Sequence, residues 1–206
     1  MKNILLIRHG QSEWNKLNLF TGFKNVELSD RGVEEANRAG QNFKNLNLKF
    51  DIVFTSELKR AQNTAKIILE NLDQFNELNL QNKIINNFNL NERDYGDLTG
   101  LNKKETADKF GEDQVHKWRR GYSDQPPNGE SLEDVVNRVK IYFDSYILPL
   151  INKSENNNIL IAAHGNSLRA LLIVMKIYTP DNINSVELST GVPIHVLFEK
   201  NTFVIK

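Results

Sequence analysis

The chain contains no cysteine. Disulfides, thiolate zinc sites, iron–sulfur clusters and a cysteine nucleophile are therefore excluded. Any covalent chemistry falls to Ser, Thr, Lys, His or a carboxylate. There is no excess of charge either: 26 Lys and Arg balance 26 Asp and Glu. General nucleic-acid binders and membrane-surface binders are as a rule basic, so neither partner is expected. Long apolar runs are missing. The longest, Ala170 to Met175, has six residues, against about 20 for a membrane span. The run Ile4-Leu5-Leu6-Ile7 is too short for a signal peptide, and no small-residue cleavage site follows it. A cytoplasmic location is the expectation. No internal repeat or low-complexity linker divides the 206 residues, so one domain over 1–206 is expected, with a core large enough to need no covalent staples.

What is present alternates. Ile4 to Ile7, Asp51 to Phe54 and Ile159 to Ala163 read as short buried strands, with a weaker one over Lys83 to Asn86. Ser29 or Asp30 caps a helix whose expected inner face is Val33, Ala36, Gly40 and Phe43. A second helix presents Leu58, Ala61, Ala65, Ile68 and Leu72 on one side. Residues 102–120 suggest two short helices broken near Gly111, and Pro126-Pro127-Asn128-Gly129 a turn. Ser131 opens another helix, with Asp134 completing a near capping box and Leu132, Val136, Val139, Phe143 and Ile147 facing inward. A helix over Ser167 to Ile177 and a hairpin around Lys200-Asn201 complete the chain. Wholly apolar strands between amphipathic helices imply a sheet buried on both faces. The expected fold is a three-layer α/β/α sandwich with a mostly parallel central sheet.

In such sheets ligands bind beyond the carboxyl ends of the strands. Three strands deliver chemical residues there: one ends in Arg8-His9-Gly10, one leads through Thr55-Ser56 to Arg60, and one ends in His164-Gly165-Asn166. A lone strand-end histidine is more often a structural hydrogen-bonder. Two matching ones, with Arg8 beside the first and Arg169 after the second, point to a site. A neutral imidazole is a nucleophile toward phosphorus, and arginines fit phosphate oxygens. No H-x-H or H-x-x-x-H pair supports a metal, and flanking arginines would repel a cation, so no metal is expected. P-loop, dinucleotide and serine-hydrolase motifs are absent as well.

Leu6 to Asn15, which contains Arg8-His9-Gly10, resembles the signature of the histidine phosphatase superfamily. Further segments are similar to the cofactor-dependent phosphoglycerate mutases. These are Phe20-Thr21-Gly22, Leu58-Lys59-Arg60-Ala61, Leu90 to Gly96, Gly100 to Lys103, Trp118 to Gly121, Ala163 to Arg169 and Thr190 to Pro193. They follow the family's order across nearly the whole chain. The resemblance implies interconversion of 3-phosphoglycerate and 2-phosphoglycerate, in glycolysis and gluconeogenesis, through a phosphohistidine and a 2,3-bisphosphoglycerate intermediate. That bisphosphate would also act as primer. His9 would be the nucleophile, Arg8 and Arg60 would bind phosphoryl oxygens, Asn15 and His164 would complete the pocket, and Glu92 would be the general acid/base. Ser12, Thr21, Gly22, Tyr95, Lys103, Arg119, Arg120, Gly165 and Asn166 would hold the substrate. Outside these motifs, Lys103 and Arg119-Arg120 would read as solvated helix faces. His116 reads as a surface residue and His195 as a strand residue.

Four features depart from the family pattern. The connection from Asn128-Gly129 to Glu130-Ser131 is short, and no tail follows the last strand. Asp94 stands where mutases usually have His, and Thr99 where Gln is usual. A barer site would favour water as the acceptor of the phosphoryl group, so a phosphatase acting on small phosphate monoesters is the alternative. Family members differ in assembly, and a homodimer is one arrangement. Setting aside Arg8, Arg60, Lys103, Arg119, Arg120 and Glu92, the remaining chain has four more acidic than basic residues. The zero total thus conceals a cationic mouth on a mildly acidic body.

Overall fold

A strand buried on both faces alternates its side chains between two cores. Here Ile4, Leu6, Phe54, Ile159 and Ile161 enter one core, and Leu5, Ile7, Val53, Leu160 and Ala162 the other. In the computed structural model, which describes residues 1–206, these residues lie on a single six-stranded sheet. Its strands are β1 (Lys2–Arg8), β2 (Ile52–Thr55), β3 (Ile84–Asn86), β4 (Asn158–Ala163), β5 (Pro193–Glu199) and β6 (Thr202–Ile205). The order is β3-β2-β4-β1-β5-β6. The first four positions run parallel, and β5 and β6 are antiparallel additions.

The helices are α1 (Glu13–Lys16), α2 (Asp30–Asn45), α3 (Lys59–Asn71), α4 (Phe75–Leu80), α5 (Lys103–Phe110), α6 (Glu112–Arg120), α7 (Leu132–Tyr142), α8 (Leu148–Ile151) and α9 (Gly165–Val174). α2 and α3 cover one face of the sheet through Ala39, Phe43, Ala65, Ile68 and Leu69. α7 and α9 cover the other through Val135, Val139, Leu168 and Leu171. The expected α/β/α sandwich is therefore what forms. No helix is long and apolar enough to cross a membrane.

Three local expectations change. Val33 is 39% exposed, and Glu35 is buried in its place. The Glu35 carboxylate is drawn inward because it accepts the Gln11 backbone N–H at 2.9 Å. α9 starts at Gly165 rather than Ser167 and ends at Val174. The Ser167 hydroxyl accepts the His164 N–H at 3.0 Å, which starts the helix directly behind the strand. The inward face of α7 continues through a π-helical turn, Phe143–Ile147, into α8.

The topology brings the strand ends together. Arg8 is in register with Ala163, and Ala162 with Thr55. One residue further on, the His9 N–H still reaches the Ala163 carbonyl at 3.0 Å. The two histidines are thus neighbours because β1 and β4 are neighbours. The exit from β1 is pressed against the first turn of α2. A Cβ on Gly10 would lie 2.2 Å from the Gly32 carbonyl oxygen, and one on Gly32 would lie 2.0 Å from that of Gln11. Only glycine fits at either position.

Candidate active site

The strand ends open into a cleft of about 340 Å³, lined almost wholly by polar groups. His9 lies at its base and is 2% exposed. Its Nδ1 is 2.7 Å from the Gly10 carbonyl oxygen, so Nδ1 carries the proton and donates. Its Nε2 accepts from Arg60 Nε at 3.3 Å. Both contacts assign the same tautomer, with the free lone pair on Nε2. Burial, then Arg60 and Arg8, hold the His9 pKa well below the usual imidazole value, so the ring is neutral at pH 7.

Arg60 is itself 1% exposed. Its other two nitrogens are pinned to the carbonyls of Lys24 and Gly22 at 2.8 and 2.9 Å. Burial brings its pKa down to about 10, which leaves it charged at neutral pH. His164 meets His9 edge-on, with ring centroids 4.9 Å apart. Its Nε2 is 2.7 Å from Ser56 Oγ. Leu58 N–H donates to the same hydroxyl at 3.2 Å. No other acceptor lies within reach of the Ser56 hydroxyl, so its proton goes to Nε2 and the His164 proton sits on Nδ1, which is buried without an acceptor.

Glu92 comes from the irregular segment before the 3₁₀ turn Gly96–Leu98. Its Oε1 accepts the N–H groups of Arg93 at 2.8 Å and Asn166 at 3.1 Å, leaving Oε2 for a ligand. Burial pushes its pKa up, but these bonds and the fields of Arg60 and Arg8 outweigh it, so the net shift is downward. A methyl group on Gly165 would lie 3.4 Å from Arg169 Nη1, 3.7 Å from Glu92 Oε2 and 3.9 Å from Arg8 Nε. Three charged side chains therefore converge over that glycine.

Farther out, Lys103 begins α5 and Arg119 and Arg120 end α6, and all three line the cleft. Burial and then Arg119 lower the Lys103 pKa to about 8. Asn15 Oδ1 is taken by the Ser12 N–H at 3.2 Å, so its amide nitrogen is the group left for the cleft. Thr21, Gly22, Tyr95, Gly165 and Asn166 also line it. Ser12 does not. It is fully buried, and its hydroxyl caps α1 by accepting the Asn15 N–H at 3.2 Å. It thereby fixes the start of α1, which carries Asn15.

Arg31 and Glu187 to Ser189 also line the cleft and carried no signal in the sequence, whereas Arg169 and Thr190 lie inside motif segments without an assigned role. Arg169 Nη2 donates to the Val186 carbonyl at 2.9 Å, and Arg8 Nη1 donates to that of Leu188 at 2.8 Å. These bonds tie the segment to the site. Asp94 points away from the chemistry: its Oδ1 accepts the Gly96 N–H at 3.0 Å and stabilises the turn. His116 is exposed, and His195 lies in β5 against Asn3 Oδ1 at 2.9 Å.

Arg8 Nε, His164 Nδ1 and Arg169 Nε are all buried without partners. Buried donors without acceptors, clustered beside a neutral imidazole, define a site built for an anion. The class is therefore an α/β protein with a cationic cleft at the carboxyl ends of its parallel strands. The chain belongs to the histidine phosphatase superfamily (branch 1), whose sequence profile matches residues 4–206.

Within that family it is 50% identical over 204 residues to the 2,3-bisphosphoglycerate-dependent phosphoglycerate mutase of Bartonella bacilliformis, covering 99% of this chain and 96% of that one. It is 52% identical to the enzyme of that name from Methylocella silvestris, over 93% of this chain and 89% of the relative. It is also 52% identical to the phosphoglycerate mutase of Schizosaccharomyces pombe, over 96% and 90%. The fold matches a mycobacterial glucosyl-3-phosphoglycerate phosphatase with a TM-score of 0.84, over 100% of this chain and 98% of that one, at 20% identity. It matches the α-ribazole phosphatase of Shigella flexneri with a TM-score of 0.80, over 99% and 94%, at 23% identity.

Proposed function

We propose that this protein interconverts 3-phosphoglycerate and 2-phosphoglycerate by passing a phosphoryl group through His9, with 2,3-bisphosphoglycerate as primer and intermediate. The observation that carries the reading is the His9 tautomer. Its free Nε2 faces a charged donor, inside a cleft whose buried cationic groups lack acceptors. Relatives about half identical over nearly the full chain, with that activity in their names, support the substrate class. The Bartonella protein has nearly this length, so a compact chain is compatible with the mutase name. We treat residues 1–206 as one functional unit, because β1 lies between strands from the last quarter of the chain.

The chain's residues divide the work. When bound, the bisphosphate supplies the phosphoryl group that loads His9. His9 Nε2 attacks phosphorus as the P–O ester bond breaks, and Arg8, Arg60 and His164 Nδ1–H neutralise the oxygens. Glu92 gives the departing oxygen its proton. The incoming anion offsets the fields of Arg60 and Arg8 that keep Glu92 ionised, so it raises the Glu92 pKa when an acid is needed. In the reverse direction Glu92 removes a hydroxyl proton, that oxygen attacks phospho-His9, and the N–P bond breaks. Lys103, Arg119 and Arg120 hold the carboxylate and the second phosphate, with Thr21, Gly22, Tyr95, Asn15 and Asn166 around them.

The test is to incubate the protein with 3-phosphoglycerate and a trace of the bisphosphate and analyse the products. The expected product is 2-phosphoglycerate, with an acid-labile phosphate on His9. Inorganic phosphate without 2-phosphoglycerate overturns the reading in favour of a phosphatase.

A further inference from the structure

Glu92 lies in a stretch, residues 91–95, that belongs to no helix or strand, yet its chemistry demands a fixed carboxylate. The grip comes from two residues that touch no part of the cleft, Arg138 on α7 and Glu130 just before it. Arg138 Nη1 donates to the Asn89 and Asn91 carbonyls at 2.7 and 3.1 Å. Its Nη2 donates to those of Asn91 and Glu92 at 3.1 and 3.0 Å. The same guanidinium pairs with Glu130 through both carboxylate oxygens at 2.8 and 2.9 Å. Glu130 Oε2 also accepts the Asp94 N–H at 2.9 Å, and the Glu130 N–H returns to the Asp94 carbonyl at 3.0 Å. The backbone is thus held on both sides of Glu92.

The pair is mostly shielded, with side-chain exposures of 12% and 21%. Phe23 and Phe88 meet at 5.3 Å, and the guanidinium carbon lies within 6 Å of both rings, at 5.9 and 5.8 Å. Phe23 sits between Gly22 and Lys24, whose carbonyls anchor Arg60. The cluster therefore joins the support of the carboxylate to the support of the phosphate-binding arginine. A planar, bidentate guanidinium suits this task, and an ammonium group does not.

We propose that Arg138 and Glu130 are positioning residues for Glu92, acting on proton transfer to the leaving oxygen through the backbone of residues 89–94. The proposal rests on the reading of Glu92 as general acid and adds the residues that make it one. Such a role predicts a loss that depends on the leaving group. An alkyl oxygen needs the proton, whereas the phenolate of p-nitrophenyl phosphate departs without it.

Arg138→Lys and Glu130→Gln, each confirmed as folded by circular dichroism and thermal melting, are compared with Glu92→Gln on both kinds of ester. Both variants are expected to lose roughly 100-fold in kcat on the phosphoglycerate with little change in KM, the scale of a misplacement of about 1 Å. The single-turnover burst of p-nitrophenolate, which reports loading of His9 before the later step that also uses Glu92, should stay within about threefold. Adding either change to Glu92→Gln should cost nothing more, because the two act through one group. Equal losses on both esters in the folded variants, or additive losses with Glu92→Gln, overturn the proposal. If Glu92→Gln itself shows no leaving-group dependence, the general-acid reading fails first, and the two failures are distinct.

Discussion

Arg60 Nε donates to His9 Nε2 across 3.3 Å, so a buried guanidinium rests on the lone pair that, in the proposed mechanism, attacks phosphorus. After burial, Arg60 is the largest influence that keeps the imidazole neutral. Arg60→Ala should slow phosphoryl transfer by about two to three orders of magnitude, the scale of losing one charge-stabilising donor. Steady-state kinetics check this, and a loss below about tenfold would remove Arg60 from contact with the transferred group.

Ser56 fixes the tautomer of His164 rather than touching substrate. Ser56→Ala removes the donor to Nε2 and lets the proton move off Nδ1. We expect roughly a tenfold loss of transfer, the worth of one buried hydrogen bond, with Ser56→Thr retaining most of the activity. Nitrogen NMR of the two imidazoles reads the tautomer directly. An unchanged His164 spectrum in the alanine variant would contradict the assignment.

His9 and His164 both have folded pKa values well below that of an exposed imidazole, chiefly through burial. The unfolded chain therefore binds more protons below about pH 6.5. Stability should be complete above that value and decline as the pH falls, by about 1.4 kcal/mol per pH unit for each histidine. Urea titrations at pH 6.5 and 5.5 measure the slope. His164→Asn should flatten it, and an unaltered slope in that variant would assign the effect to other groups.

Lys103 loses its charge as the pH rises through about 8. Substrate affinity should weaken over the same range, since one cation of the mouth disappears. Lys103→Arg keeps the charge and should carry the alkaline limb of kcat/KM upward by more than about one pH unit. An unmoved limb would place its origin elsewhere.

The sheet and the innermost groups were legible in the sequence because the signals were local. A four-residue apolar run ending in Arg8-His9 dictates both a strand and what it delivers. Val33 is exposed although helical periodicity puts it inward, because Glu35 turns inward instead to meet a backbone N–H from the neighbouring loop. A cap and a substrate contact look alike in sequence, and the fold shows Ser12 as the cap of α1. Glu187 to Ser189 escaped as cleft residues, since an irregular stretch carries no periodic signal. Arg138 carries no signal in the periodicity of its helix, and only the fold brings residues 89–94 under its guanidinium.

β1 lies between β4 and β5, with Asn3 opposite Asn158 and Ile7 opposite Pro193. During synthesis the strand carrying His9 leaves the ribosome ahead of both neighbours, then waits for partners about 150 residues later. At ordinary elongation rates that interval is roughly ten to thirty seconds. For that time Ile4 to Ile7 is an unpaired apolar edge, suited to chaperone capture or to aberrant pairing. His9 is made long before the strands that enclose it, and its site cannot close until both have been synthesised.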